Sequence, residues 1–379
     1  MRRFSRQISG SVDLKSRAFT LPALVSLALA AAFLVFLITR FDVDFGVTWK
    51  QLKGSNPWLL AAAVLVHYTT FIFRGARWRV FLQNAQQNAK DCDNELATAR
   101  DVPGVLYCSQ LVLLGWFANA IGWLRLGDAY RAYLYREEQG ASFSRTIGTI
   151  LAERVTDAFL VAGLLIIAVP FLVDRDGGAA WTVLAVSLTM LAGLGILLAA
   201  MTGGRELVLK KLPSWLGQRY TRFHQGTLGS FRRMVPVSIL GLLGWMAEVG
   251  RLYLVVQALD LDISFPLVIF LTLANSLLTL VPTPGGFGAV ESGVAGLVVR
   301  FSTLTGSVAA ALVLVDRTIT YLSIIVVGAA LCIGRQAFHR RLVSVPDASL
   351  DAGELVRPST VAASGGLPST SSGEEKGDN

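Results

Sequence analysis

Eleven charged residues stand inside stretches that are otherwise apolar: Arg125, Asp128, Arg131, Glu153, Arg154, Asp157, Glu248, Arg251, Glu291, Asp316 and Arg317. On insertion scales, a lone charge at the centre of a membrane helix costs roughly 2.5–3.5 kcal/mol, so these groups must pair with one another or line a wet cavity. The arginines suggest one chemistry. A planar guanidinium donates two parallel hydrogen bonds, which matches a phosphodiester. Glu153, Asp157 and Glu291 would then balance the arginines or receive an amine. The alternative is structural, a set of ion pairs that hold helices together, and Glu248 with Arg251 at i, i+3 suits it best. Glu153 and Asp157, at i, i+4, share a helix face and repel unless a cation or a shared proton lies between them. Asp316 and Arg317 are adjacent, so on a helix they point apart and require separate partners.

The stretch Asn275–Glu291, NSLLTLVPTPGGFGAVE, lies at the middle of an apolar region running from about residue 265 to 299. Pro282 and Pro284 remove backbone donors, and Gly285, Gly286 and Gly288 permit positive φ. Broken backbone at membrane depth is tolerated only against protein or a wet cavity. Two half-helices meeting at a polar break are therefore expected, with Glu291 on the first turn of the second. Half-helix N-termini of this kind present N–H groups to an anion, which is a transporter signature. A second stretch, Asn119–Gly140, carries Arg125, Asp128 and Arg131 directly after an apolar run. Ala118-Asn119 before Gly127-Asp128 parallels Ala274-Asn275 before Gly288 and Glu291.

These residues need a scaffold of membrane helices. Of 379 residues, 53% are hydrophobic and 16% charged, whereas a soluble domain carries about 25% charged residues. Spans are expected near 21–38, 57–73, 147–173, 179–201, 234–259 and 308–333, with 83–101 and 203–234 as loops. The latter holds seven Arg and Lys against Glu206, which assigns it to the cytoplasm. A single crossing by 102–123 would put that loop outside, whereas a stretch that dips in and returns restores the parity. The same reasoning applies at 264–302, between Asp260 and Asp262 outside and Arg335, Arg340 and Arg341 inside. The expected fold is thus all-α, a polytopic helical membrane protein. About six full spans accompany two re-entrant hairpins in an inverted-repeat arrangement, in the cell (inner) membrane with both termini cytoplasmic. Residues 1–17 form a basic cytoplasmic segment, 18–335 the transmembrane domain, and 342–379 a disordered tail rich in Ser, Gly and Pro.

Other chemistries lack their residues. The net charge of +8 is spread between apolar spans, so topology explains it and nucleic acid is not an expected partner. No GK[ST], G-x-S-x-G, H-E-x-x-H or paired C-x-x-C is present. Three cysteines and three histidines are scattered, so no metal site, disulfide framework or cofactor is expected.

The two stretches, taken with Arg77-Trp78, Glu153-Arg154 with Asp157, and Arg317, resemble the lysylphosphatidylglycerol synthase transmembrane-region family of flippase-like domains. The resemblance covers roughly residues 18–335. Where the family usually has proline before its R-x-G-[DE] element, this chain has Trp123. The tail 342–379 has only 38 residues, too few for the aminoacyl-transfer domain of full-length synthases, so lysyl transfer is not expected. The resemblance implies lipid translocation or a related role. Residues Asn119, Arg125, Asp128, Arg131, Glu153, Arg154, Asp157, Asn275, Pro284, Gly285, Gly286, Gly288, Glu291 and Arg317 would surround a lipid head group. With no nucleotide-hydrolysing element, Glu291 or Glu153 would carry a coupling proton. The rival expectations are a membrane glycosyltransferase or accessory acting on a polyprenyl-phosphate sugar, using Asp128 or Glu137-Glu138, and a non-transporting envelope scaffold. An envelope glycosyltransferase or acyltransferase is the expected protein partner.

Overall fold

A computed structural model describes residues 45–92, 101–122, 126–168, 177–279, 281, 283–286 and 288–343. The expected first span 21–38, the basic segment 1–17, Arg125, Asp174–Asp176, Pro282 and the tail beyond 343 lie outside the described residues. By internal contact the chain divides into 1–333 and 334–379. Apart from the end of the last helix, from Gly334 on, every residue discussed below belongs to the first unit.

All described secondary structure is helical. In chain order the helices are α1 (Phe45–Lys53), α2 (Pro57–Cys92), α3 (Val105–Ile121), α4 (Gly127–Gln139), α5 (Phe143–Ala168), α6 (Gly177–Gly203), α7 (Arg205–Lys211), α8 (Ser214–Ser230), α9 (Met234–Ala258), α10 (Phe265–Leu278), α11 (Ala289–Phe301), α12 (Gly306–Arg317) and α13 (Ser323–Val343). A 3₁₀ turn at Pro284–Gly286 separates α10 from α11, and a π-helical turn at Thr318–Leu322 joins α12 to α13. Among the described residues, four helical stretches are long and apolar enough to cross a membrane: Pro57–Lys90, Leu184–Gly203, Met234–Ala258 and Gly306–Arg335. Helices α3, α10 and α11 have 17, 14 and 13 residues. At about 1.5 Å per residue they fall short of a hydrocarbon core roughly 30 Å thick.

The short helices form two hairpins. Helix α4 folds back along α3, and a Cβ added to Gly127 would lie 1.9 Å from the Gly115 carbonyl oxygen. Only glycine admits that approach. Helix α11 likewise returns along α10. Near the bend a Cβ on Gly293 would meet Leu278 at 2.5 Å. At the far end Phe270 and Phe301 stack edge to face at 5.5 Å. A core of Val255, Val256, Leu267, Leu271, Val298 and Leu312, with their neighbours, locks the second hairpin against α9 and α12. A second core around Trp78, Phe81, Leu111, Leu114 and Phe117 holds the first hairpin against α2.

Two expected loops are helical. Helix α2 runs on to Cys92, through residues whose polar composition suggests a loop. The segment 203–234 contains α7 and α8, and α8 packs into the bundle. The physical reason is that small residues make these contacts, not an apolar stripe. A Cβ on Gly148 would sit 2.3 Å from the Phe223 carbonyl oxygen, and one on Gly226 2.3 Å from that of Arg145. Asn84 Nδ2 donates to the Ser230 carbonyl at 2.8 Å, tying α2 to the end of α8.

Candidate functional site

At the first bend Asn119 acts as a clasp. Its Oδ1 accepts a hydrogen bond of 2.7 Å from the Gly127 N–H, capping α4 from the side of α3. This places Asp128 and Arg131 on the first turns of α4, facing the charged stretch of α5. Arg131 Nη2 donates to Glu153 Oε2 at 2.5 Å, and Trp78 lies under the Arg131 guanidinium at 4.4 Å. Trp78 is held in turn by a 3.2 Å hydrogen bond from Nε1 to Thr149 Oγ1. Arg154 grips Asp128 with two parallel bonds, Nε to Oδ2 at 3.0 Å and Nη2 to Oδ1 at 2.8 Å.

The cation required between Glu153 and Asp157 is Arg77 of α2. Its Nη2 meets Glu153 Oε1 at 3.4 Å and its Nη1 meets Asp157 Oδ1 at 2.7 Å. Arg74, one turn earlier, approaches Asp157 Oδ2 at 3.7 Å and lies over the rings of Trp116 and Trp245. Among the described residues, four guanidiniums (Arg74, Arg77, Arg131, Arg154) therefore meet three carboxylates (Asp128, Glu153, Asp157) in one network. The side chains of Arg77 and Arg131 are 1% exposed, whereas Arg154 and Asp128 are each 33% exposed. The network thus has a buried floor and one accessible pair.

The second bend is built by its glycines. Gly285, Gly286 and Gly288 have φ of 59°, 75° and 86°, values that L-residues with a Cβ adopt only under strain. Pro284 opens the 3₁₀ turn, and the chain then enters α11 with Glu291 in its first turn. Glu291 Oε2 accepts the Gly288 N–H at 2.9 Å while Oε1 accepts Arg317 Nε at 2.7 Å. Arg317 Nη2 also donates to the Gly285 carbonyl at 2.8 Å. Both faces of the break are pinned to α12. Asn275 sits half-buried near the end of α10, and its Oδ1 has no hydrogen-bond partner among the described residues.

The two bends converge. Tyr321, in the π-helical turn just after Arg317, donates from its hydroxyl to the Ala120 carbonyl at 2.8 Å. Its ring lies where a Cβ on Gly285 would be, at 2.3 Å. One tyrosine therefore touches the tips of both hairpins. A second buried cluster lies between α9 and α12. Arg251 of α9 bonds Glu248 at 3.2 Å, as its i, i+3 spacing predicts, and also pairs with Asp316. Asp316 and Arg317 thus face different partners, as their adjacency requires.

Of the expected head-group residues, the structure joins Asn119, Asp128, Arg131, Glu153, Arg154 and Asp157 at the first bend. It joins Pro284, Gly285, Gly286, Gly288, Glu291 and Arg317 at the second. The expected head-group set did not include Arg74, Arg77 or Tyr321, although Arg77-Trp78 was among the residues carrying the family resemblance. The need of Glu153 and Asp157 for a shared cation was legible, but not which residue supplies it, and Tyr321 offers no pattern of its own. Among the described residues no three His, Cys, Asp or Glu side chains converge as a metal site.

Comparison with known proteins gives this architecture its context. A UPF0104 membrane protein of Methanocaldococcus jannaschii is 29% identical over 221 residues, 56% of this chain and 92% of its own length. A UPF0104 membrane protein of Methanothermobacter thermautotrophicus is 27% identical over 342 residues, 81% of this chain and 92% of its own. Glycosyltransferase AglD of Haloferax volcanii is 24% identical over 329 residues, 76% of this chain but half of that protein. The profile of the lysylphosphatidylglycerol synthase transmembrane region matches residues 23–328. On that match the chain, a multi-pass helical membrane protein, belongs to the lysylphosphatidylglycerol synthase transmembrane-region family.

Proposed function

We propose that this protein moves a polar phospholipid or polyprenyl-phosphate lipid between leaflets, its head group held where the two hairpin tips meet. The observation that carries this reading is the four-guanidinium, three-carboxylate network, which ends in the accessible Arg154–Asp128 pair. A phosphate approaching Arg154 finds the bidentate geometry that Asp128 now occupies, and one guanidinium in the network exceeds the carboxylates. On another face of α5, Thr156, Phe159 and Leu160, with Leu198, Phe231 and Met234, line a mainly apolar cavity of about 260 Å³.

Both hairpins are too short to cross singly, and each returns toward the side it left. Placed in a cell (inner) membrane with cytoplasmic termini, they enter from opposite faces, beside about six full spans. Rocking of one hairpin-bearing half against the other would open the site alternately. Movement of head-group-labelled phospholipid in proteoliposomes tests this function, and mass spectrometry of co-purified lipid identifies the cargo.

Likeness to a protein named as a glycosyltransferase favours a second reading, transfer of sugar from a polyprenyl phosphate. Asp128, the carboxylate such an enzyme would use, is clamped by Arg154 and so is poorly placed as a base. Sugar transfer by the purified protein, lost in Asp128→Asn, would favour this reading over transport. An envelope glycosyltransferase or acyltransferase supplying or consuming the lipid is the partner that either reading implies.

A further inference from the structure

His67 of α2 is fully buried, and among the described residues neither ring nitrogen has a hydrogen-bond partner. Tyr68 and Phe71 flank it with edge-on rings at 5.5 and 5.4 Å. The charged groups that act on it are Glu248 and Arg251 from α9, Asp316 from α12, and Arg74 from its own helix. Glu248 is half-used. Its Oε2 accepts from Arg251 while its Oε1 is buried without a partner among the described residues. A buried imidazole with two idle nitrogens and a buried carboxylate with an idle oxygen are each costly unless something joins them.

Charge balance suggests what does. Around His67, one guanidinium (Arg251) faces two carboxylates (Glu248, Asp316), a deficit of one positive charge when the imidazole is neutral. The head-group network holds the opposite, four guanidiniums against three carboxylates. Arg74 joins the two. It reaches Asp157 at 3.7 Å in the first network and lies over the ring of Trp245, one turn before Glu248 on α9. In a low-dielectric interior the surplus of one cluster offsets the deficit of the other. An anionic head group that neutralises the surplus leaves the deficit at His67 exposed. One proton on a ring nitrogen removes it.

We infer that His67 is a proton-binding site coupled to the lipid site: an anionic head group binds at the Arg154 end together with one proton at His67. An N–H bond forms on the imidazole with a proton from one aqueous phase, and it breaks to the other phase as the lipid leaves. Glu153 and Glu291, the carboxylates expected from sequence to carry a coupling proton, are each held by two donors and are less suited to it. His67 has no such partner to surrender. This inference rests on the lipid reading proposed above and adds the ion that moves with the lipid.

The test mixes detergent-solubilised protein with phosphatidylglycerol or with zwitterionic phosphatidylcholine. Lipid binding is followed by native mass spectrometry, and proton uptake by a pH dye in weak buffer. Wild-type protein is expected to take up about one proton per chain with phosphatidylglycerol and none with phosphatidylcholine. His67→Gln and His67→Asn are expected to bind phosphatidylglycerol without that uptake. Binding without proton uptake by the wild type overturns the role of His67, as does undiminished uptake by either folded variant. Absence of phosphatidylglycerol binding overturns the anionic-lipid premise itself, so the two failures are told apart.

Discussion

Glu153 is the residue on which the first network turns, because two buried guanidiniums end on its two oxygens. Glu153→Gln leaves Arg77 and Arg131 short of charge in a dry environment. Breaking a buried pair of this kind costs about 3–5 kcal/mol. Thermal unfolding in detergent is expected to show a marked drop in Tm. Arg154→Ala offers the contrast. Its partner is partly exposed, so the fold should lose on the order of 1 kcal/mol or less. Lipid movement, which needs that guanidinium, should nevertheless fall by about tenfold or more, the effect of losing a charge-assisted bond. Unchanged transport in Arg154→Ala would remove this residue from the site. The requirement for a cation between Glu153 and Asp157 was readable from their spacing. That Arg77 supplies it was not, because Arg77 lies 76 residues from Glu153 in sequence and only folding brings them together.

At the scale of elements, glycine sets both bends. Gly127→Ala places a methyl group into the Gly115 backbone and should separate α3 from α4, at about 1–3 kcal/mol by overpacking. Gly285→Ala combines positive φ with a collision against Tyr321. It should destabilise the protein further and also loosen the contact between hairpin tips. Unfolding of the two variants beside Gly163→Ala, where nothing lies within 4 Å of the added Cβ, checks this. The second break was legible because proline and three glycines in an apolar run have few other uses. The first break is marked by Gly127 and Asn119, a signal that needs the partner helix of the hairpin to be interpreted. Helix α8 and the far end of α2 escaped for a related reason: they pack through Gly148, Gly226 and Gly229 against backbone and short side chains. Hydrophobic periodicity does not register such contacts.

For the whole molecule, the placement of the hairpins in the membrane is the claim with the widest consequences. In a cysteine-free background, Ser264→Cys and Thr303→Cys flank the second hairpin at exposed positions. Both should react with an impermeant maleimide from the same side of sealed vesicles. Labelling from opposite sides would make that region a full crossing and undo the inverted arrangement. The helical class and the charge clusters could be read from composition and spacing. The convergence of the tips on Tyr321 and the split into two oppositely charged clusters depend on tertiary packing, which no local pattern encodes. The central claim, that these clusters serve lipid movement, is tested most directly by reconstitution. Purified protein is placed in liposomes containing fluorescently labelled phosphatidylglycerol, and leaflet exchange is followed by quenching of the outer label. Wild-type protein is expected to exchange lipid faster than empty liposomes, and Arg154→Ala to lose most of that excess. Exchange no faster than in empty liposomes, across anionic and zwitterionic head groups, would contradict the account.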